Sequence, residues 1–566
     1  MELQDAARRW LAADPDPDTR AELQAILDRG DSDALVACFG ARLEFGTAGI
    51  RGPMGCGPAR MNRMVVRRVT AGLAARLLES DVDAQRGVVV GHDARSKSEV
   101  FATDVAQVLG GFGIPVHQLS GLSPTPLVAF AVRDVGAAAG VQITASHNPA
   151  ADNGYKVYWT DGAQIIPPLD AQISAAIDAV DPEVELPLSG DHVRDVGNDV
   201  LERYVAATLS LQCEPGARDL RIVYTPLHGV AGPLVKRLLT DAGFSDVAAV
   251  AEQLQPDPAF STVAFPNPEE PGALDLAIRL ATESGADLIL ANDPDGDRIA
   301  AAVPDAGGWR PLSGDEIGCL LAEWLLTRVG GGAERVVGTT VVSSRMLAAM
   351  AAHHGVGYLE TLTGFKWLAR AAIDAAADGR RMVLAYEQAL GAMCGTAVLD
   401  KDGMSAALVL ADMAAALKAE GRTLLDGLDD LARRHGVHVT GGRNVRLEGD
   451  DGLALVTATL QRLQQAPPAE VGGVAVVEVA DHMAGTRTSS DGQTAALTTP
   501  PTDLVGLTLA DGSRLQVRPS GTEPLLKFYV EVIEPVAGGE PIAGVRARAA
   551  QRQAALTVAF LTVAGV

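Results

Sequence analysis

The densest chemistry in the chain lies in seven residues, Asn292-Asp293-Pro294-Asp295-Gly296-Asp297-Arg298. They directly follow an apolar run at 286–291 that reads as a buried strand. Carboxylates at i, i+2 and i+4 of an extended loop can converge on one hard cation, and Gly296 permits the tight bend. An isolated acidic turn is the plainer reading, but three unshielded carboxylates repel one another. A calcium EF-hand does not match: counted from Asp293, the glycine position holds Arg298 and the twelfth position holds Pro304. Oxygen-only ligands without a nearby His or Cys favour Mg²⁺ over Zn²⁺. Arg298 makes sense beside the acids if an anion shares the metal.

Three further clusters could meet such an anion. Thr144-Ala145-Ser146-His147-Asn148-Pro149 closes an apolar run at 137–143. Pro149 keeps a helix from running through, so Ser146 belongs on a loop at a strand end, where open α/β sheets bind ligands. A serine there can be a nucleophile, a phosphate carrier or a turn residue. Shortly after it, Asp152-Asn153-Gly154-Tyr155-Lys156 brings a lysine that can shuttle a proton or balance phosphate charge. Arg518-Pro519-Ser520-Gly521-Thr522-Glu523-Pro524 holds the parts of a phosphate cradle, although a Pro/Gly turn between strands would look similar. In Phe45-Gly46-Thr47-Ala48-Gly49-Ile50-Arg51-Gly52 a glycine-rich loop surrounds one arginine, as a ligand loop or a connector. Thr363-Gly364-Phe365-Lys366-Trp367, then Tyr386-Glu387-Gln388-Ala389-Leu390-Gly391, then Lys401 offer a lysine turn, a carboxylate and amide for sugar hydroxyls, and a second lysine.

The elements that must position these residues alternate between strand and helix. Strands at 87–92, 137–143, 220–225, 286–291 and 335–342 are followed by helical spacing, which indicates mostly parallel sheets in α/β units. Residues 1–40 read as helices packed outside the first unit, and 255–271 as an irregular, proline-rich loop. From about 440 short alternating strands predict a smaller antiparallel α+β domain. The expected divisions are 1–215, 216–310, 311–440 and 441–566. A chain of 566 residues supports several cores.

With 47 Lys and Arg against 71 Asp and Glu, the formal charge is −24. That argues against non-specific binding to nucleic acid or anionic membranes, and means an anionic substrate needs a local basic pocket. Five scattered cysteines with no C-x-x-C pair suit reduced thiols in a cytoplasm. The first nine residues lack a secretory signal pattern, and no apolar run reaches a membrane span, so the expectation is a cytoplasmic protein.

Taken together and in order, the arginine loop, serine loop, metal loop, sugar loop and phosphate loop resemble the α-D-phosphohexomutase superfamily of phosphoglucomutases, phosphomannomutases and related phosphopentomutases. The likeness covers nearly the whole chain. The opening Trp10-Leu11-Ala12-Ala13-Asp14-Pro15-Asp16-Pro17-Asp18-Thr19-Arg20 and the turn from Thr363 to Trp367 are similar to the subgroup that handles glucose and pentose phosphates. The resemblance implies a four-domain, heart-shaped architecture, with three α/β mixed-sheet domains and a C-terminal α+β phosphate-binding domain. It implies that Ser146 is carried as phosphoserine and completes a Mg²⁺ site with Asp293, Asp295 and Asp297. Arg518, Ser520, Gly521 and Thr522 would hold the substrate's phosphate. Thr363, Gly364, Lys366, Glu387, Gln388 and Arg298 would bind substrate. Arg51, His147, Lys156 and Lys401 would stabilise charge or move protons.

The implied reaction interconverts a sugar 1-phosphate and 6-phosphate, glucose first, through a bisphosphorylated sugar such as glucose 1,6-bisphosphate. Ribose 1-phosphate/5-phosphate and mannose phosphates are the alternatives. The expected partner is a small phosphosugar, with no nucleic acid or membrane, and a monomer or dimer. One departure is visible: many hexose-specific members carry Gly-Glu-x-Ser-Gly in the sugar loop, and here Ala389 stands where the serine hydroxyl would be. Two other classes compete: an enzyme phosphorylated on aspartate within Asp293-Pro294-Asp295, and a non-enzymatic phosphosugar-binding regulator. The regulator would not need both Ser146 and the carboxylate triad.

Overall fold

The computed structural model describes residues 2–181, 185–213, 216–447, 452–520 and 525–566. Among these the strands form four sheets, one after another along the chain. The first takes Ile50–Pro53 (β1), Val88–His92 (β2), Val116–Gln118 (β3), Ala139–Ile143 (β4), Asp152–Trp159 (β5) and Val193–Asp195 (β6), in the order β1-β5-β4-β2-β3-β6. β4 lies between β5 and β2, and all five of its residues are buried, which is why its sequence shows no polar alternation. β5 turns back antiparallel to β4, pairing Lys156 with Gln142, while β1 pairs Arg51 with Gly154. One register thus brings the arginine loop, the serine loop and Lys156 to the same end of one sheet.

The second sheet is built from Ile222–Thr225 (β7), Val247–Ala249 (β8), Leu288–Ala291 (β9), Ala300–Asp305 (β10) and Gly308–Pro311 (β11), in the order β11-β10-β9-β7-β8. The metal loop leaves the carboxyl end of β9, the end at which such sheets bind ligands. The third contains Arg335–Thr340 (β12), Gly357–Thr361 (β13), Arg381–Glu387 (β14) and Gly391–Cys394 (β15), in the order β13-β12-β14-β15, and the sugar loop is the turn from β14 to β15. Helices flank all three sheets, as the alternating pattern predicts. Ser313 opens Gly314–Arg328 with a capping box to Glu316.

One apolar cluster runs across all three units, beside further separate cores. Phe130 and Tyr204, Leu238, and Trp324 with Leu410 belong to a single buried cluster. The helix Gly403–Ala419, which follows Lys401, runs buried through it for most of its length.

The fourth sheet is antiparallel and has its own core. Its strands are Val437–Arg446 (β16), Glu470–Val471 (β17), Val474–Asp481 (β18), Thr486–Ser489 (β19), Thr494–Ala496 (β20), Val505–Leu509 (β21), Arg514–Pro519 (β22) and Leu525–Glu534 (β23). β16 begins before the expected division at 440/441 and runs through it, because its ten residues pair continuously with β23. The sequence boundary came from a change in texture, and the first residues of an edge strand do not carry that change.

The fourth unit docks on the third mainly through polar groups, with a small apolar contact of Val341, Val342 and Leu504 beside them. Glu531 on β23 is 3 % exposed. It accepts hydrogen bonds from Arg345 N and Nε, both at 2.7 Å, from Ser344 Oγ at 3.0 Å and from His438 Nδ1 at 3.0 Å. Arg514 lies 3.3 Å from it. Thr440 also donates to Asp315 Oδ2 at 2.6 Å. Burial opposes ionisation of Glu531, but His438, Arg514 and Arg345 outweigh it and hold the carboxyl well below the usual glutamate range. A depressed folded pKa gives stability that is present above the unfolded value of about 4.3 and is lost only as pH falls towards the folded value. Glu531→Ala leaves the Arg345 charge without its carboxylate, while Arg514 keeps Glu360 at 3.4 Å. The expected cost is about 3–5 kcal/mol in docking of the fourth unit, read as faster amide exchange in β16 and β23; unchanged exchange would show that the interface does not depend on this carboxylate.

Candidate active site

The metal loop is a tight turn. Gly296 has φ 74 and its N–H bonds Asp293 O at 2.9 Å, so three carboxylates face inward from five residues. Gly229 lets the neighbouring loop lie against it: a Cβ there would meet Pro294 Cα at 2.4 Å. Asp293, Asp295 and Asp297 are 0, 0 and 1 % exposed, and each offers one oxygen within 4.8 Å of the others.

Their second oxygens are distributed unevenly. Asp295 Oδ2 accepts from Lys156 Nζ at 2.7 Å and Thr125 Oγ1 at 2.6 Å. Asp297 Oδ2 accepts from Lys156 Nζ at 3.0 Å, and Lys401 Nζ lies 3.3 Å away. Among the described residues, Asp295 Oδ1 and Asp297 Oδ1 are buried without a hydrogen-bond partner. Burial, then Asp295 and Asp297, push the Asp293 carboxyl well up. A buried oxygen-only set with two open lone-pair positions and an unrelieved negative charge fits a hard divalent cation.

Ser146 sits on the edge of this set. Its Oγ donates to Asp293 Oδ2 at 2.8 Å and lies 3.1 Å from His147 Nδ1. Arg298 NH2 faces His147 Nε2 at 3.4 Å. A guanidinium can only donate, so Nε2 carries the lone pair and Nδ1 carries the proton. Burial, then Arg298 and Arg51, push the His147 pKa far below its usual value, so the ring is neutral. His147 therefore donates to the serine oxygen and does not take its proton.

The two lysines come from different units. Burial disfavours charge on Lys156, but Asp295 and Asp297 outweigh it; Lys401 is likewise held charged against burial by Asp297, then Asp400. Asp400 is in turn held by Tyr158 Oη at 2.8 Å and Gln164 Nε2 at 2.7 Å.

Arg51 lines the same end of the first sheet, and its Nε is buried without a partner among the described residues. Glu387 is buried, and its carboxyl is raised by burial against the pull of Lys401 and Arg298. The sugar loop is tied to the metal loop by an antiparallel bridge between Arg298 and Gly391, and by Ile299 N to Leu390 O at 3.0 Å. Gln388 has its amide oxygen occupied by Ser343 Oγ at 2.8 Å, and its NH₂ has no hydrogen-bond partner among the described residues. Gly364 precedes the helix Phe365–Ala377, Thr363 is half-buried beside it, and Lys366 reaches across to Thr47 Oγ1 in the arginine loop.

Arg518 and Ser520 lie at the end of β22, on the fourth unit. Arg518 Nε donates to Tyr529 Oη at 3.3 Å, and Ser520 N bonds Leu525 O at 2.7 Å. Gly521 and Thr522 lie outside the described residues. The structure therefore gathers Ser146, His147, Lys156, Asp293, Asp295, Asp297, Arg298 and Lys401 into one network, while the phosphate loop stands on a separate body. Tyr529, Asn444 and Arg443 of the fourth unit face Glu269 and Gln388 across a cavity of about 690 Å³, a volume suited to a small ligand.

Sequence reasoning missed Thr125, Asp400 and Glu269, the last paired with Arg298 at 3.2 Å. Only Thr125 carried a signal, as a hydroxyl between two prolines at a helix start; Asp400 and Glu269 act through partners distant in sequence.

A buried carboxylate triad, a serine on its rim, converging cations and a separate arginine loop fit phosphoryl transfer. Family models described as phosphoglucomutase/phosphomannomutase alpha/beta/alpha domains I, II and III match residues 42–183, 202–308 and 313–435, and the C-terminal domain of that family matches 455–540. The chain belongs to the phosphoglucomutase/phosphomannomutase family and is a phosphosugar mutase, an isomerase.

It is 35 % identical over 568 residues to the human phosphopentomutase, covering 95 % of this chain and 93 % of that one. It is 34 % identical to the human glucose 1,6-bisphosphate synthase, covering 94 % and 90 %. A Haemophilus influenzae protein named "Probable phosphomannomutase" is 40 % identical over 478 residues, covering 83 % and 93 %. The open form of the Paramecium phosphoglucomutase parafusin shares the fold, with TM-score 0.68 at 18 % identity over 93 % of this chain and 97 % of that one.

No helix among the described residues is long and apolar enough to cross a membrane. Asp295→Asn is expected to weaken Mn²⁺ binding at least about tenfold, as loss of a carboxylate ligand should; titration giving wild-type affinity would remove the triad as the metal site.

Proposed function

We propose that the chain interconverts glucose 1-phosphate and glucose 6-phosphate through a phosphoryl group carried on Ser146, with glucose 1,6-bisphosphate as activator and intermediate. The observation that carries this reading is the 2.8 Å contact of Ser146 Oγ with Asp293 Oδ2, beside the open oxygens of Asp295 and Asp297. Asp293, Asp295, Asp297 and the serine-borne group would hold Mg²⁺, which offsets negative charge on the phosphoryl group being transferred.

The chain's own residues supply the rest. The 6-hydroxyl of glucose 1-phosphate attacks the phosphorus, the P–O bond to Ser146 breaks, and the Nδ1–H of His147 supports the serine oxygen that is left. Arg51 and Arg298 face the phosphoryl oxygens. Lys156 and Lys401, both held charged here, balance the added phosphate and have no lone pair with which to take the hydroxyl proton; over the whole step that proton passes to the Ser146 oxygen, which leaves as a hydroxyl. Arg518 and Ser520, with Gly521 and Thr522, hold the non-reacting phosphate. Glu387 grips sugar hydroxyls in either orientation, so the bisphosphate can turn over and return its other phosphate to Ser146. Closure of the fourth unit over the site would keep water from the phosphoserine.

A second reading, a pentose mutase acting on ribose 1-phosphate, is favoured by Ala389. The loop lacks the hydroxyl that a hexose-specific loop presents, and Gln388 spends its oxygen on Ser343. Its relatives named phosphopentomutase fit that reading.

Peptide mapping after incubation with glucose 1,6-bisphosphate should find phosphate on Ser146, and Ser146→Ala should abolish turnover; wild-type turnover by that variant would mean another nucleophile. Comparison of kcat/KM for glucose, ribose and mannose 1-phosphates, each with its bisphosphate, should rank glucose first; a ribose preference would replace this assignment with the second reading.

A further inference from the structure

Ser146 has φ 52, in the left-handed region. A residue with a side chain holds that conformation only where its surroundings over-determine it. Here the restraint is Arg95, which is 4 % exposed, on the turn after β2. Its NH2 donates to Ser146 O and Asn148 O, both at 2.6 Å, and its NH1 to Pro149 O at 2.7 Å and Asp152 O at 3.1 Å. One planar fork thus collects three carbonyls of the serine loop and one at the start of β5, a geometry that a lysine cannot reproduce.

Arg95 is itself aimed. Asp93 Oδ1 accepts Arg95 N at 2.9 Å, and Asp93 Oδ2 lies 3.4 Å from Arg95 Nε. The face of the guanidinium is covered from the second unit by the ring of Phe260, with Cζ 4.9 Å from the ring centroid. Phe260 is 3 % exposed and also left-handed, at φ 48. Its turn is braced by Asp257, which accepts Phe260 N at 3.1 Å and Ser261 Oγ at 2.6 Å. Two strained residues, one in each unit, therefore meet through one buried cation–π contact, and neither Arg95 nor Phe260 touches the triad.

We propose that Arg95 and Phe260 are a positioning pair: Arg95 shapes the loop that aims Ser146 Oγ, and Phe260 ties that loop to the unit carrying Asp293, Asp295 and Asp297. The physical need is registration. The serine and the metal loop belong to different sheets, and a displacement of about 1 Å between reacting groups can cost about 10²-fold in rate. The inference rests on Ser146 being the phosphoryl carrier.

The test uses the full-length chain with Phe260→Leu, Phe260→Tyr and Arg95→Lys, measuring kcat, KM and Tm with glucose 1-phosphate and catalytic glucose 1,6-bisphosphate. Phe260→Leu is expected to lower kcat about tenfold by letting the serine loop shift against the metal loop, with KM little changed. Phe260→Tyr should recover most of it. Arg95→Lys should lower kcat by about 10²-fold while the loop keeps its charge. Wild-type kcat in a folded Phe260→Leu or Arg95→Lys variant overturns the proposal. So does a loss in Phe260→Leu that Phe260→Tyr shares in full. If one of these two variants does not fold, the other decides. Absence of phosphate from Ser146 in the wild-type protein would instead sink the phosphoserine reading.

Discussion

Three carboxylates buried on one turn are the constraint from which the rest of this molecule follows. With their oxygens within 4.8 Å, each ionised pair repels by roughly 3 kcal/mol at an effective dielectric constant of 20. Within the loop Arg298 is the one cation beside them among the described residues. The remaining charge balance comes from Lys156 on the first sheet and Lys401 beside the third. The triad is thus balanced only when three units close around it, and its open Oδ1 atoms leave it able to hold a cation.

The energetics of the domain interfaces match this division of labour. Units that must hold the triad still share one continuous apolar cluster, with the buried helix Gly403–Ala419 as its spine. Such a core resists relative motion because close packing leaves no alternative arrangement of similar energy. The phosphate loop sits on a unit with its own core, docked through Glu531, Arg345, His438 and Thr440. Polar contacts of this kind exchange for water more readily, which suits the proposed role of this body in admitting a substrate and then excluding solvent.

The neutral His147 shows how far the site is from acyl-transfer chemistry. Arg298 faces its Nε2, so the ring donates towards Ser146 instead of accepting from it. A serine served in this way is suited to carrying a charged group whose oxygens need donors. The sugar side is built with less redundancy: Glu387 is buried near Arg298 and Lys401, Gln388 offers only its amide, and Ala389 offers nothing polar.

Much of this was legible in the sequence, because short-range spacing dictated it. The i, i+2, i+4 carboxylates, the strand before Ser146 and the antiparallel texture after 440 are local patterns, and each appears where expected. What only the tertiary structure decided is pairing across distance. Lys156 faces Asp295 because β5 folds back on β4. Lys401 reaches Asp297, Thr125 caps Asp295, and Arg95 gathers the serine loop under Phe260. The tautomer of His147 and the occupied oxygen of Gln388 likewise depend on partners some 45 to 151 residues away. A sequence states which groups are available; hydrogen bonds and ion pairs act over about 3 Å, so which groups meet is decided only when the sheets and their crossovers bring them that close.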